Sequence, residues 1–129
     1  MGKIVYPRKM VLQSLYELTA EISKNRFIAS RPPATGEQMD DFLLIIPKRI
    51  SDRGDTYQSM SCQIAVFARD IQGGLENTIK LEDLQQAVID LFPIVTEHYH
   101  AKFPLLLPGG SDGAGFHSLI IQFNITILK

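Results

Sequence analysis

The chain has 129 residues, of which 45% are hydrophobic and 21% are charged, so we expect a single domain spanning residues 1–129. Its formal net charge of -1 excludes the strong field that would attract nucleic acid or an anionic membrane, and no apolar run approaches the length of a membrane span. The single cysteine excludes an internal disulfide, and the N-terminus lacks a signal-peptide pattern, so we expect a soluble, intracellular protein.

The first predicted element is a helix over residues 7–24, with Asn25 ending it in a left-handed cap. Apolar residues at helical spacing support it: Val11, Leu15, Leu18 and Ile22. Residues 26–41 follow neither the helical nor the strand period, so we expect a long loop there.

Two strands come next and predict a long hairpin. Residues 42–46 form a continuous apolar run, which Pro47 breaks or marks as an edge or bulge. The stretch "SDRGDT" reads as a turn, and residues 57–69 then alternate between apolar and polar side chains.

A second helix is predicted to begin with Thr78 as its N-cap and to stop or kink at Pro93. Its apolar stripe is Leu81, Leu84, Val88 and Leu91. Residues 94–102 are ambiguous between helix and strand. Residues 119–127 alternate strictly, and the apolar "PLLLP" before them can supply a hairpin partner. We therefore expect an α+β fold in the order α-β-β-α-β-β, with a mostly antiparallel sheet and two helices on one face.

Four glycines between Gly109 and Gly115 raise the possibility of a phosphate-binding loop. Such a loop needs a Lys followed by Ser or Thr and then a helix, and a dinucleotide fingerprint also needs that helix. Here Phe116 and His117 follow, and a strand comes after them. We therefore expect a mobile hairpin loop that binds no nucleotide, of the kind that often orders against a partner.

The sequence offers little for catalysis or metal binding. His98, His100, His117 and Glu97 are too few and too scattered to predict a zinc site, and Cys62 lies among apolar neighbours in a strand. Since no nucleophile, base or cofactor motif can be named, we expect no enzyme activity, no cofactor and no metal.

The polar faces of the two best strands are uncharged. They carry Ser59, Ser61, Gln63, Gln122, Asn124 and Thr126. Because interface cores are depleted in charge, this face is either an assembly surface or a solvated face of unusual composition. Lys48, Arg49 and Arg53 are expected at the tip of the first hairpin, either solvated or against an acidic partner surface.

The chain as a whole resembles a known family. The segments "RPPATGEQMDDFLLIIP", "TYQSMSCQIAVFARD", "LEDLQQAVIDLFP" and "FHSLIIQFNITILK" are similar, in order and pattern, to the small tail-terminator or tail-completion proteins of long-tailed bacteriophages and prophages. The likeness lies in the order of elements, the "SRPP…DFLLI" approach to the sheet, the "FARD" strand end and the closing hairpin. Residues 94–102 match nothing in the family pattern.

This resemblance implies a structural role. Such proteins form a ring, typically a hexamer, that caps the tail tube and joins it to the head. The expected partners are further copies of the chain, the tail tube protein and head-tail connector proteins, with no nucleic-acid specificity and no membrane. The protein would be cytoplasmic during assembly and part of the virion tail afterwards. The interface candidates are Lys48, Arg49, Arg53, Gln63, Asp112, Phe116, Gln122 and Asn124.

A second interpretation stays open at this point. An α+β chain of this size could also be a small dimeric module that binds a ligand or regulates a partner. Ring closure needs two different patches on each subunit, whereas a two-fold dimer uses one patch twice, so the native mass separates the two interpretations.

Overall fold

The computed structural model describes residues 7–29, 40–52 and 57–128. Its elements in chain order are α1 (Pro7–Leu18), β1 (Arg26–Ile28), β2 (Asp41–Asp52), β3 (Tyr57–Arg69), α2 (Thr78–Ile89), β4 (Ile94–Val95), β5 (Tyr99–Ala101), β6 (Leu105–Ser111) and β7 (Phe116–Leu128). The α+β class is confirmed, but the predicted order was only partly right, because it lacked three strands. Three further strands, β1, β4 and β5, are only two or three residues long, and such short strands show no alternation.

The seven strands form one sheet in the order β1-β2-β3-β7-β5-β4, with β6 also pairing with β7. All pairs are antiparallel except β1 with β2, which is parallel. β3 pairs with the whole length of β7 on one edge. On its other edge, β6 pairs with residues 117–122 and β5 with residues 125–127. β7 is therefore the central strand of the fold.

The predicted hairpin of β2 and β3 is present, and Pro47 marks a bulge within β2. Pro47 lies opposite Cys62 and Ile50 opposite Met60, so Lys48 and Arg49 occupy the irregularity between them. A proline is tolerated there because β1 pairs only with residues 43–45, which leaves Pro47 on an edge. Since β2 continues to Asp52, the two basic residues lie in the bulge and not, as predicted, at the hairpin tip.

One face of the sheet packs against both helices. The buried cluster takes Val11 and Leu15 from α1, Leu81 and Val88 from α2, and alternate residues of the long strands. These strand residues are Met60, Cys62, Ile64, Val66 and Ala68 of β3 with Ile121, Phe123, Ile125 and Ile127 of β7. Tyr99 of β5 joins them, and its hydroxyl lies 2.7 Å from Ser14 Oγ of α1.

The opposite face was expected to be polar, and this holds for only part of it. Four aromatic rings cluster on it, with Phe42 at the centre. The ring centroids of Phe42 and Phe67 are 4.3 Å apart, those of Phe42 and Phe116 5.1 Å, and those of Phe27 and Phe42 5.9 Å. Such pairs each add about 0.5–1.5 kcal/mol beyond area burial. The second face therefore has an aromatic half and a polar half.

Local hydrogen bonds explain why the helix ends differ from the predictions. α1 ends at Leu18 instead of residue 24, because the Thr19 hydroxyl donates to the Leu15 carbonyl and Ile22 N–H donates to the Thr19 carbonyl, which tightens the chain into turns. Asn25 is not a left-handed cap; its side-chain amide donates to the Asp41 carbonyl at 3.1 Å. The loop expected over residues 26–41 begins instead with β1.

The N-cap of α2 is Asn77 and not Thr78. Asn77 Oδ1 accepts a hydrogen bond from Lys80 N–H at 3.3 Å, whereas the Thr78 hydroxyl donates to the exposed carboxylate of Glu76. The ambiguous residues 94–102 form β4 and β5, joined by a turn in which Thr96 Oγ1 accepts from His98 N–H and Tyr99 N–H.

The two residues at the start of α2 give a matched test of this assignment. Asn77→Ala should lower the free energy of unfolding by about 1 kcal/mol, because one helical N–H loses its acceptor. Thr78→Ala should cost less than about half a kcal/mol, because it removes only an exposed contact. Urea denaturation measures both, and a larger cost for Thr78→Ala than for Asn77→Ala would contradict the assignment.

Candidate functional site

The glycine-rich segment is a hairpin loop that is held by the side chain and backbone of Asp112. Asp112 Oδ1 accepts from Ala114 N–H at 2.7 Å and from Phe116 N–H at 3.1 Å, and Asp112 N–H donates to the Phe116 carbonyl at 3.0 Å. Gly113 and Gly115 have φ angles of 74° and 94°, which explains why glycine occupies both positions. The loop leads from β6 into β7, as the sequence predicts.

The base of this loop is joined to β3 by a side-chain pair that the sequence did not reveal. His117 Nδ1 lies 2.5 Å from Asp70 Oδ1, and the side chains are 19% and 11% exposed. Asp70 N–H also donates to the Gly115 carbonyl at 2.8 Å. Only the antiparallel register of β3 and β7 brings these residues together, since 47 positions separate them in the chain.

The side chains considered for metal binding and nucleophilic catalysis do not form a common site. Within the described ranges, no group of three or more His, Cys, Asp and Glu side chains could hold a metal ion. Cys62 is buried in the core, and this burial raises the pKa of its thiol to about 12, against a smaller opposite effect of its contact with the Gln63 backbone. The reactive thiolate is therefore disfavoured at neutral pH.

The described part of the chain contains no helix that combines the length and the apolar character needed to cross a membrane.

The polar half of the second face is a row of uncharged side chains on β3 and β7. Gln63 Nε2 donates to Gln122 Oε1 at 2.9 Å, and Ser61 Oγ donates to Asn124 Oδ1 at 3.4 Å across the neighbouring strands. Burial alternates along β7, with Asn124 and Thr126 exposed between buried residues. We call this row, formed by Ser59, Ser61, Gln63, Gln122, Asn124 and Thr126, the uncharged face.

The remaining interface candidates are scattered. Lys48 and Arg49 are exposed in the β2 bulge, and Asp112 closes the glycine loop. Phe116 is buried in the aromatic cluster, so its ring offers almost no surface to a partner. Arg53 lies outside the described residues, together with the other three residues that end the predicted turn "SDRGDT".

An open depression of about 560 Å³ lies at the edge of the uncharged face. Its lining residues are His100, Lys102, Phe103, Leu105, Gln122, Phe123, Asn124 and Thr126. Phe103 lies between β5 and β6, and Leu105 is the first residue of β6; their side chains are 72% and 60% exposed. Sequence reasoning missed this feature because "KFPLLLP" reads as an apolar strand, and an apolar strand is expected to be buried.

We predict that the glycine loop binds no nucleotide, because its N–H groups at residues 114 and 116 are already used by Asp112. The melting temperature should not change when ATP, GTP or NAD is added. A clear increase that disappears in the Gly113→Ala/Gly115→Ala variant would overturn this prediction. Measuring that variant without nucleotide controls for strain at positive φ.

Comparison of the chain with known protein families and with curated proteins finds no match.

Proposed function

We propose that the chain is a structural protein that caps the tail tube of a phage or prophage as a ring and provides the head-tail joining surface. The observation that carries the proposal is the uncharged face, where Asn124 and Thr126 are exposed and the Gln63 and Gln122 amides are hydrogen-bonded to each other. The resemblance of the chain to tail-terminator proteins supplies the class of assembly.

The physical case for assembly rests on desolvation. A charged side chain loses strong hydration when an interface covers it, whereas neutral amides and hydroxyls exchange hydrogen bonds with water for hydrogen bonds with a partner. Gln63 and Gln122 already satisfy part of each other's hydrogen-bonding capacity. A neighbouring subunit can therefore cover this face at modest cost.

The proposed assembly is a ring, with a hexamer as the expected size. Ring closure uses a heterologous contact, in which each subunit presents one patch to one neighbour and a different patch to the other. The tube protein and the head-tail connector would contact the ring's two ends. In this role the chain works without catalysis, cofactor or metal, in the cytoplasm during assembly and in the virion tail afterwards.

A second candidate is a dimeric ligand-binding or regulatory module. The depression favours it, because about 560 Å³ is within the range of small-molecule sites and polar groups converge there with apolar ones. A dimer in native mass spectrometry, together with a small molecule retained by the purified protein, would favour this module over the ring.

Placing a charge on the uncharged face tests whether another subunit covers it. In an oligomer, Asn124→Glu should bury an unpaired carboxylate and cost several kcal/mol, seen as a lower melting temperature and a smaller native mass. On a solvated face the same change should cost less than about half a kcal/mol. Glu17→Gln on the exposed surface of α1 serves as the control substitution. If an oligomer persists unchanged in Asn124→Glu, this face is not the interface.

The capping function can be tested with a purified tail tube protein that polymerises in vitro. Adding the protein should stop tube growth, measured as tube length by negative-stain electron microscopy. Reversing the exposed basic pair in the bulge, Lys48→Glu/Arg49→Glu, should weaken capping if the pair contacts an acidic surface of the tube or a neighbouring subunit.

The matched control for that variant is Arg8→Glu/Lys9→Glu, since this basic pair is also exposed but lies on α1. If both variants cap tubes equally well, Lys48 and Arg49 make no contact needed for capping and are solvated charges at the sheet edge. Tubes that grow to the same length with and without the unmodified protein would reject the capping function itself.

A further inference from the structure

The depression beside the uncharged face combines exposed apolar side chains with one cation. Lys102 is the only Lys, Arg, Asp or Glu among the described residues that line it. Phe103 follows Lys102 in the chain, Leu105 begins β6, and both side chains are largely exposed. Gln122 and Asn124 contribute polar side chains to its lining. These groups suit an occupant that carries an apolar side chain next to a carboxylate.

The outer surface of α2 presents that chemistry. Ile79 is 77% exposed, and Glu82 and Asp83 are exposed as well. Residues three and four positions apart are neighbours on a helix surface, so the two carboxylates lie beside the isoleucine. Leu81 and Val88 occupy the opposite, buried side of α2, so this outer surface is not needed for the core.

We propose that the first turns of α2 of one subunit dock into the depression of the next, with Ile79 against Phe103 and Leu105, and Glu82 and Asp83 near Lys102. The proposal rests on the ring assembly proposed above and names the two surfaces that meet. The occupant is a second copy of this chain because the complementary apolar and charged groups are both present in it.

The placement of the two surfaces supports a head-to-tail contact. α2 packs on the core face of the sheet, whereas His100, Gln122 and Asn124 belong to the opposite face. One subunit therefore cannot bring its own α2 into its own depression. Two different patches on opposite sides of a subunit produce a heterologous contact, which closes into a ring when the rotation between subunits permits.

A charge swap tests the contact in the full-length protein. Lys102→Glu places three carboxylates together, and Glu82→Lys/Asp83→Lys places three cations together. Each variant should raise the dissociation constant of the oligomer about tenfold or more, measured by native mass spectrometry and analytical ultracentrifugation across a concentration series. An equimolar mixture of the two variants should restore assembly, as should the triple variant Lys102→Glu/Glu82→Lys/Asp83→Lys.

Controls of equal charge change are available on α1. Lys9→Glu matches Lys102→Glu, and Glu17→Lys matches one half of the α2 variant; both residues are exposed. These controls should leave the native mass unchanged. Unchanged melting of the swapped variants at a concentration where all are monomeric shows that the subunit fold is intact.

The outcomes separate this contact from the function proposed above. The contact would be overturned if the dissociation constant of the oligomer were unchanged in both variants, or if their mixture did not restore assembly. Either result would leave tube capping open. A monomer at the highest soluble concentration would also overturn it. Rescue by the mixture without any effect on tube growth would establish the contact and reject the capping function.

Discussion

The fold depends on the pairing of β7 along both of its edges. β3 pairs with all 13 residues of β7, while β6 and β5 divide the opposite edge between them. Because both edges are satisfied, the alternate side chains of β7 are held at fixed positions on the two faces of the sheet. Ile121 and Ile125 are fully buried under the helices, and Asn124 faces the other way.

The second face follows from this central strand and has two unlike halves. At one end Phe42, Phe67 and Phe116 form an aromatic cluster, and at the other the uncharged face carries amides and hydroxyls. Interface cores are also depleted in charged residues. The proposed assembly rests on this shared composition.

The glycine loop and the depression differ in which of their groups are already used within the subunit. Asp112 uses the N–H groups of the glycine loop for its own closure, so little remains for a ligand. By contrast, Phe103 in the connection after β5 and Leu105 at the start of β6 are exposed near Lys102. The exposed apolar groups therefore lie around a short connection that sequence periodicity could not describe, rather than on the segment that resembled a motif.

The sequence by itself determined the long elements. Residues 57–69 and 119–127 alternate, and α2 carries an apolar stripe, because an element buried on one side places apolar residues at its own period. It also placed Asn124 away from the core. Only the tertiary structure decided the short strands, the Asp70–His117 pair and the depression. Strands of two or three residues have no period, and contacts between distant positions depend on strand register, which is fixed only when the whole sheet forms.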